Sequence, residues 1–288
     1  MKIFWAIPLM AIWGSSYVII KAGLQYTTPI FFAAIRAFPA GLIILLLSSL
    51  RSDSTPLLRK TAWDWFMVSM LGLFCTTAFF WAMFVGTPLV GAGLAAVLIN
   101  TQPFFVAAIA YFFLSERFGW RKAVHLLTGF SGVILITWPK IEGGFSADLL
   151  GIAILLAGSF AFSVGMVLSK PLYHRLDLYW LTGWQLVVGG GVLLVAAFLL
   201  EDVFSTLWTL PLVAAVGYLS LVSTAVASLV WFRLIRFYPV SVLASYGFLI
   251  PLFGIIFARV FYNEEFTLWS ISGMALILVG IYGIERSR

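Results

Sequence analysis

NTQPFFVAAIAYFFLSER, residues 100–117, carries a proline inside an apolar run and a glutamate just past its end. FLIPLFGIIFARVFYNEE, residues 248–265, has the same design. Pro103 and Pro251 stand 148 positions apart, and so do Glu116 and Glu264. Gly132 and Gly280 share that offset, as do Phe84 and Phe232; Lys21/Lys170 and Gly41/Gly190 match at 149, which one gap explains. These matches indicate a chain built twice, with one half over 1–139 and the other over 145–285.

Working outward, the whole chain is as apolar as these stretches. Hydrophobic residues make up 62% of the sequence and charged ones 10%, with a mean hydropathy of +1.08. A water-soluble domain is about a quarter charged, because its surface must be solvated. A hydrocarbon-spanning helix needs about 20 apolar residues. Segments of that length lie at about 3–22, 29–50, 64–85, 91–113, 120–138, 148–169, 178–200, 210–232, 240–262 and 267–284. The expected fold is therefore an all-α, ten-helix integral membrane protein. The connection around Gly86–Pro88 is the least clearly marked.

Lys and Arg fall unevenly between alternate loops. Thirteen belong to one set: Lys2, Arg51, Arg59, Lys60, Arg117, Arg121, Lys122, Lys170, Arg175, Arg233, Arg236, Arg286 and Arg288. The other set holds three, Lys21, Lys140 and Arg259, and Arg36 lies inside a span. The positive-inside rule places both termini in the cytoplasm, as an even number of spans requires. Five helices per half then make the second half enter from the opposite side. Inverted repeats of this kind give secondary transporters two pseudo-equivalent openings around a mid-membrane site. The expected setting is a bacterial plasma (inner) membrane, with lipids and a small-molecule substrate as partners and the chain acting as a monomer. The positive loops read as topology signals and not as a nucleic-acid surface. The first apolar stretch lacks a cleavage pattern and reads as a retained span.

Each proline removes one helical hydrogen bond, so Pro103 and Pro251 are candidate hinges that free the carbonyls of Ile99 and Gly247; a packing kink is the alternative. WGSSYVIIKAGL (13–24), IRAFPAGLIILL (35–46) and the proline-to-glutamate stretch resemble the EamA-type members of the drug/metabolite transporter superfamily. The resemblance covers essentially the whole chain, and is greatest to the YddG-like aromatic amino acid exporters. It implies two five-helix EamA repeats around a central cavity, lined mainly by helices 1, 3, 4, 6, 8 and 9, with helix 2 in an outer ring.

On the helices so implied, the candidate cavity residues are Trp13, Ser16, Tyr17, Phe80, Trp81, Phe84, Asn100, Gln102, Phe160, Ser163, Ser228, Trp231, Ser245 and Tyr246. Sparse hydroxyls and amides among aromatic walls suit an amphipathic solute, since apolar walls bind and a few polar groups orient. Arg36, about 10 Å deep at 1.5 Å per residue, either captures a substrate carboxylate or is structural, bonding backbone carbonyls or an outer acid such as Asp148. All eleven acidic residues fall in loops or at span ends, so a buried carboxylate for proton exchange is missing and transport is expected to be facilitative or only weakly proton-linked. Cys75 reads as a packing residue, and His125 and His174 as structural ones. No metal site or cofactor is expected, nor catalytic residues: two scattered histidines without an acidic cluster do not make a membrane enzyme. No selectivity filter or sensor domain suggests a channel or receptor. The expected activity is export of small amphipathic metabolites, amino acids including aromatic ones; the alternative is a multidrug or nucleoside-type exporter of the same fold.

Overall fold

The computed structural model describes residues 3–50, 60–90, 92–141, 149–262 and 267–287, and every regular element among them is helical. A short 3₁₀ turn leads into α1 (Ala6–Gly23), followed by α2 (Pro29–Ser49). The third span is α3 (Ala62–Leu71) and α4 (Phe79–Val90), joined by a π-helical segment, Gly72–Ala78. The fourth is broken into α5 (Ala92–Ile99) and α6 (Gln102–Leu114). Then come α7 (Trp120–Ile141), α8 (Leu149–Arg175) and α9 (Leu178–Leu200). α10 (Leu210–Tyr218) and α11 (Ala227–Phe237) flank a second π segment, Leu219–Val226. α12 (Val240–Ser245), a 3₁₀ turn (Tyr246–Phe248), α13 (Leu249–Tyr262) and α14 (Leu268–Arg286) complete the chain.

Among the described residues, nine helices are long and apolar enough to cross a membrane. α7 is 22 residues long but is not one of the nine; it opens on Arg121 and Lys122, with His125 one turn on. The outer face is greasy: Phe112 and Phe113 are 77% and 75% exposed, a surface that fits hydrocarbon and not water. The break expected near Gly86–Pro88 does not occur. The helix runs on to Val90, and Gly86 lies so close to α8 that a Cβ there would approach Leu155 Cγ at 2.7 Å.

Two pairs of helices pack almost backbone to backbone. In the α2–α9 pair, a Cβ on Gly41 would meet Gly183 O at 2.7 Å and one on Gly190 would meet Phe38 N at 2.6 Å. In the α7–α14 pair, a Cβ on Gly132 would meet Gly273 O at 2.5 Å, and one on Gly273 would meet Gly132 O at 2.6 Å. Small residues allow this approach, and in lipid, where burial gives helices no hydrophobic incentive to associate, close van der Waals contact is what holds them. Polar caps tie the ends. Thr61 and Asp64 form a capping box on α3, Asp177 accepts from Trp180 N at 2.9 Å, and Glu201 accepts from Ile30 N and Phe31 N at 2.9 and 2.8 Å. Glu201 thus caps α2 from the end of α9, where Pro29 has no N–H to offer.

The prolines differ from expectation in a specific way. Neither kinks a continuous helix. Pro103 is the second residue of α6, after a break at Asn100–Thr101, and Pro251 lies in the first turn of α13 after the 3₁₀ turn. The carbonyl of Ile99 is not left open either, since Ser159 Oγ donates to it at 2.9 Å. Pro103→Ala is therefore expected to lose stability slightly, by about 0.4–1 kcal/mol through the freer unfolded chain. Ser159→Ala, which leaves a buried carbonyl without its partner, is expected to cost about 1–3 kcal/mol. Thermal unfolding of the two variants in detergent, compared side by side, checks the order.

Candidate functional site

The break in the fourth span, the turn between α12 and α13 and the two π segments all face one central cavity. It encloses about 1200 Å³ of space between protein atoms, open solvent included. A π-turn takes one more residue than an α-turn and re-aims the side chains around it, and such turns are frequent at functional sites. The first π segment brings Cys75 and Thr76 to the cavity, and the second brings Ser223 and Thr224. Cys75/Ser223 and Thr76/Thr224 are each 148 apart.

Aromatic rings form the walls. Phe79 stands 4.7 Å from Phe162 and 5.7 Å from Phe80 between centroids, and Trp13 meets Trp231 edge-on at 5.3 Å. The polar groups are few and held in place. Trp13 Nε1 donates to Ser223 O at 3.0 Å, and Ser16 Oγ and Ser223 Oγ share a 2.6 Å hydrogen bond. Asn100 Nδ2 donates to Ala96 O at 2.8 Å, leaving its carbonyl oxygen for other partners. Arg36 is 6% exposed and lies over Phe80, 4.5 Å from the ring centroid. Gln185 Oε1, Thr224 Oγ1 and Trp231 Nε1 are buried without a hydrogen-bond partner. Buried polar atoms are nearly always paired, and these three exceptions all belong to residues that line the cavity.

Of the residues singled out from the sequence, Trp13, Ser16, Phe80, Asn100, Gln102, Ser228 and Trp231 line the cavity, with Pro103 and Arg36. Seven do not. Trp81 is 37% and Phe160 49% exposed on the outer surface, and Phe160 meets Phe105 edge-on. Phe84 packs in a cluster with Ile30 and Leu193. Ser163 donates back to Ser159 O and also reaches Gln102 O on α6 at 3.3 Å, and Ser245 donates to Val242 O of its own helix. Tyr246 is buried and donates to Glu285, away from the cavity. Pro251 is absent from the wall, where its neighbours Gly247 and Ile250 stand instead. Tyr17's side chain lies outside the described residues, as do Asp148 and Glu264.

Gln185, Thr76, Thr224 and Ser223 were missed. The signal was present: carrying Arg36 forward by 149 lands on Gln185, and the same step takes Trp13 to Phe162. The expected lining, helices 1, 3, 4, 6, 8 and 9, leaves out the seventh span, and Gln185 with it.

One turn beyond the cavity on α8 and α12 lies a charged cluster. Glu116 accepts from Val240 N at 2.7 Å and Ser241 N at 3.2 Å, and from the Ser241 hydroxyl. Lys170 Nζ is 3.3 Å from Glu116 and donates to Tyr238 O at 3.0 Å; Lys122 donates to Ser241. Ser115, at φ 53°, turns the chain past α6 and aims Glu116 at the α12 N-terminus. Burial alone would raise the Glu116 carboxyl, but the bonds from Ser241 and Val240 and the Lys170 charge outweigh it and hold it below the usual carboxylate range.

A multi-pass helical chain with an internal, ring-walled cavity belongs among membrane transporters. The EamA-like transporter family matches it twice, over residues 1–138 and 149–286, and the chain belongs to that family. It is similar to the Bacillus subtilis protein named "Uncharacterized transporter YvbV", 30% identical over 95% of this chain and 88% of the other. It also resembles a Salmonella typhimurium protein named "Probable amino-acid metabolite efflux pump", 27% identical over 97% and 93%. A solved crystal structure shares the fold, with a TM-score of 0.83 at 18% identity over 96% and 95% of the two chains. The chain is thus a transporter and not an enzyme.

Proposed function

We propose that this protein is a secondary transporter that exports small amphipathic metabolites, amino acids with aromatic side chains among them, by alternating access. The carrying observation is the cavity: edge-on and tilted aromatic rings, one guanidinium and a few amides and hydroxyls, with no charged group besides Arg36 among its described wall residues. Rings of this kind take up an apolar side chain, and a buried guanidinium takes a carboxylate in two parallel hydrogen bonds.

The two halves, 1–139 and 145–285, are read as inverted repeats of five helices each, in a plasma membrane with both termini cytoplasmic. The cluster at Glu116 is then the closed cytoplasmic end. The segments starting at Pro103 and Pro251 are the elements that move, and the chain works as a monomer. Counterflow of radiolabelled phenylalanine in liposomes of the purified protein tests the transport reading: exchange without an imposed pH gradient is expected, and none in its presence or absence would refute it. Impermeant thiol labelling tests the topology. Single cysteines at Arg121 and Asp202 should label from opposite sides, Arg121 from the cytoplasm. Labelling of both from one side would sink the inverted arrangement.

A further inference from the structure

The two faces of α1 keep different company. Met10, Trp13, Ser16 and Ile20 line the cavity. The opposite face, from Ala11 to Ala22, lines a second space, a groove between α1, α10 and α13. Phe261, 65% exposed, marks its open side. The groove exists because two helices splay. α1 meets α13 at Gly14, where a Cβ would lie 2.7 Å from Phe253 Cβ. One and two turns further along α13, Phe257 and Phe261 form a wall of the groove instead.

Its length is that of one leaflet. Ala22, Pro211 and Phe261 at its mouth are each one residue in from the end of α1, α10 or α13. From there to Ala11 the groove runs about 16 Å along α1 at about 1.5 Å per residue, or half of a hydrocarbon core about 30 Å thick. Its lining suits hydrocarbon. Ser15 and Tyr218 carry the only hydroxyls among the described lining residues, and they use them on each other. Ser15 Oγ donates to Ile12 O at 2.8 Å and shares a 2.7 Å hydrogen bond with Tyr218 OH, so neither proton is left over.

The other half of the chain shows what fills such a place. Carried back by 148, Ala214 and Ala215 fall on Phe66 and Met67, and Ala11 carried forward by 149 falls on Phe160. Large side chains of α3 and α8 thus correspond to three alanines of α10 and α1. The volume of two rings and a thioether chain is left to the surroundings. Within the bilayer core those surroundings are acyl chains, since water is absent there. A neighbouring helix would find no free polar group across the groove to bond.

We infer that the groove between α1, α10 and α13 is a binding site for one acyl chain of a bilayer phospholipid, which takes the place of the missing side chains and backs α1 against the cavity. Its walls come from both halves, α1 from the first and α10 and α13 from the second, so the lipid seals the seam between them.

The test is photolabelling of the full chain in vesicles of dioleoylphosphatidylcholine, doped with a phosphatidylcholine that carries a diazirine at the end of one acyl chain. One sample is illuminated directly. A second is first moved through detergent into vesicles of undoped lipid, and adducts in both are mapped by mass spectrometry. The direct sample should carry adducts at the deep end of the groove, around Ala11 and Tyr218, and on the outer face of α14 at Leu278 and Val279, both 56% exposed. After the exchange the α14 adducts should fall at least tenfold and the groove adducts less than twofold. Ala11→Phe/Ala214→Phe/Ala215→Met gives this seam the residues of the other one. That variant should lose the groove adducts, keep those on α14, and unfold in lipid-free detergent at or above the wild-type temperature. If groove and α14 adducts disappear together on exchange, the groove holds only passing bilayer lipid and the inference falls. It falls too if the folded variant keeps its groove adducts, or if the wild-type groove is never labelled and two copies cross-link across it. The exchange arm uses the wild-type chain and decides the matter even where the variant does not fold. None of these outcomes depends on what the protein transports.

Discussion

Glu116→Ala is expected to unlock one end of the cavity. The substitution removes the acceptor for two backbone N–H groups at the start of α12 and for the Ser241 hydroxyl, and leaves Lys170 with a backbone carbonyl alone. Breaking a fully buried pair from one side costs about 3–5 kcal/mol. The Lys170 side chain is 21% exposed, so about 2–3 kcal/mol is expected, as a lower unfolding temperature. The larger effect is conformational, because α6, α8 and α12 lose their common anchor. Gly247 supplies the probe position, since a Cβ built there meets nothing within 4 Å and the residue lines the cavity. A cysteine replacing Gly247, in a background with Cys75→Ala, should react with an impermeant thiol reagent severalfold faster from the Glu116 side once Glu116 is alanine. Unchanged labelling would mean that the cluster is not a closure.

The cluster also sets a pH dependence with a definite sign. A carboxyl whose folded pKa is depressed contributes stability that is complete above its ordinary value, 4.5, and is lost as pH falls through the lower folded value. The contribution of Glu116 is therefore flat across the neutral range. Wild type and Glu116→Gln should differ by a constant amount there and converge only in acid.

The second large effect belongs to the glycines. Gly273→Leu should separate α14 from α7, because the added Cβ would lie 2.6 Å from a backbone oxygen that no rotamer change can move. Overpacking usually costs about 1–3 kcal/mol; a backbone clash across a helix pair lies at or above the top of that range. Gly190→Leu should do the same to α2 and α9, where the clash is with Phe38 N. Gly247→Leu is the contrasting variant. It should unfold at the wild-type temperature yet transport poorly, since its side chain enters the cavity. Similar losses of stability in all three would show that proximity at the glycines does not decide the outcome.

The span pattern was largely legible in the sequence because the membrane imposes it. A run of about 20 apolar residues can do little else than cross, and α9 begins and ends at 178 and 200 as the pattern predicts. The site was harder to read. An aromatic residue looks the same in sequence whether it faces lipid or the cavity. Trp81 and Phe80 are adjacent, yet only Phe80 reaches the wall. Serines in membrane helices often bond their own backbone, as Ser163 and Ser245 do, and hydropathy cannot tell these from serines that face a solute. The π segments were invisible because an extra residue in a turn leaves the apolar pattern intact. Arg36 was legible as an anomaly, and the cavity behind it as a location was not.

The two π segments, Gly72–Ala78 and Leu219–Val226, also repeat one local irregularity. A π-turn accommodates one residue more than an α-turn, so each segment widens its helix locally. The two begin 147 positions apart and end 148 apart, in the two stretches that match the same family. Each stretch thus carries the same departure from α-helix at matching positions, and each delivers two side chains from it to one cavity wall, Cys75 and Thr76 from the first and Ser223 and Thr224 from the second.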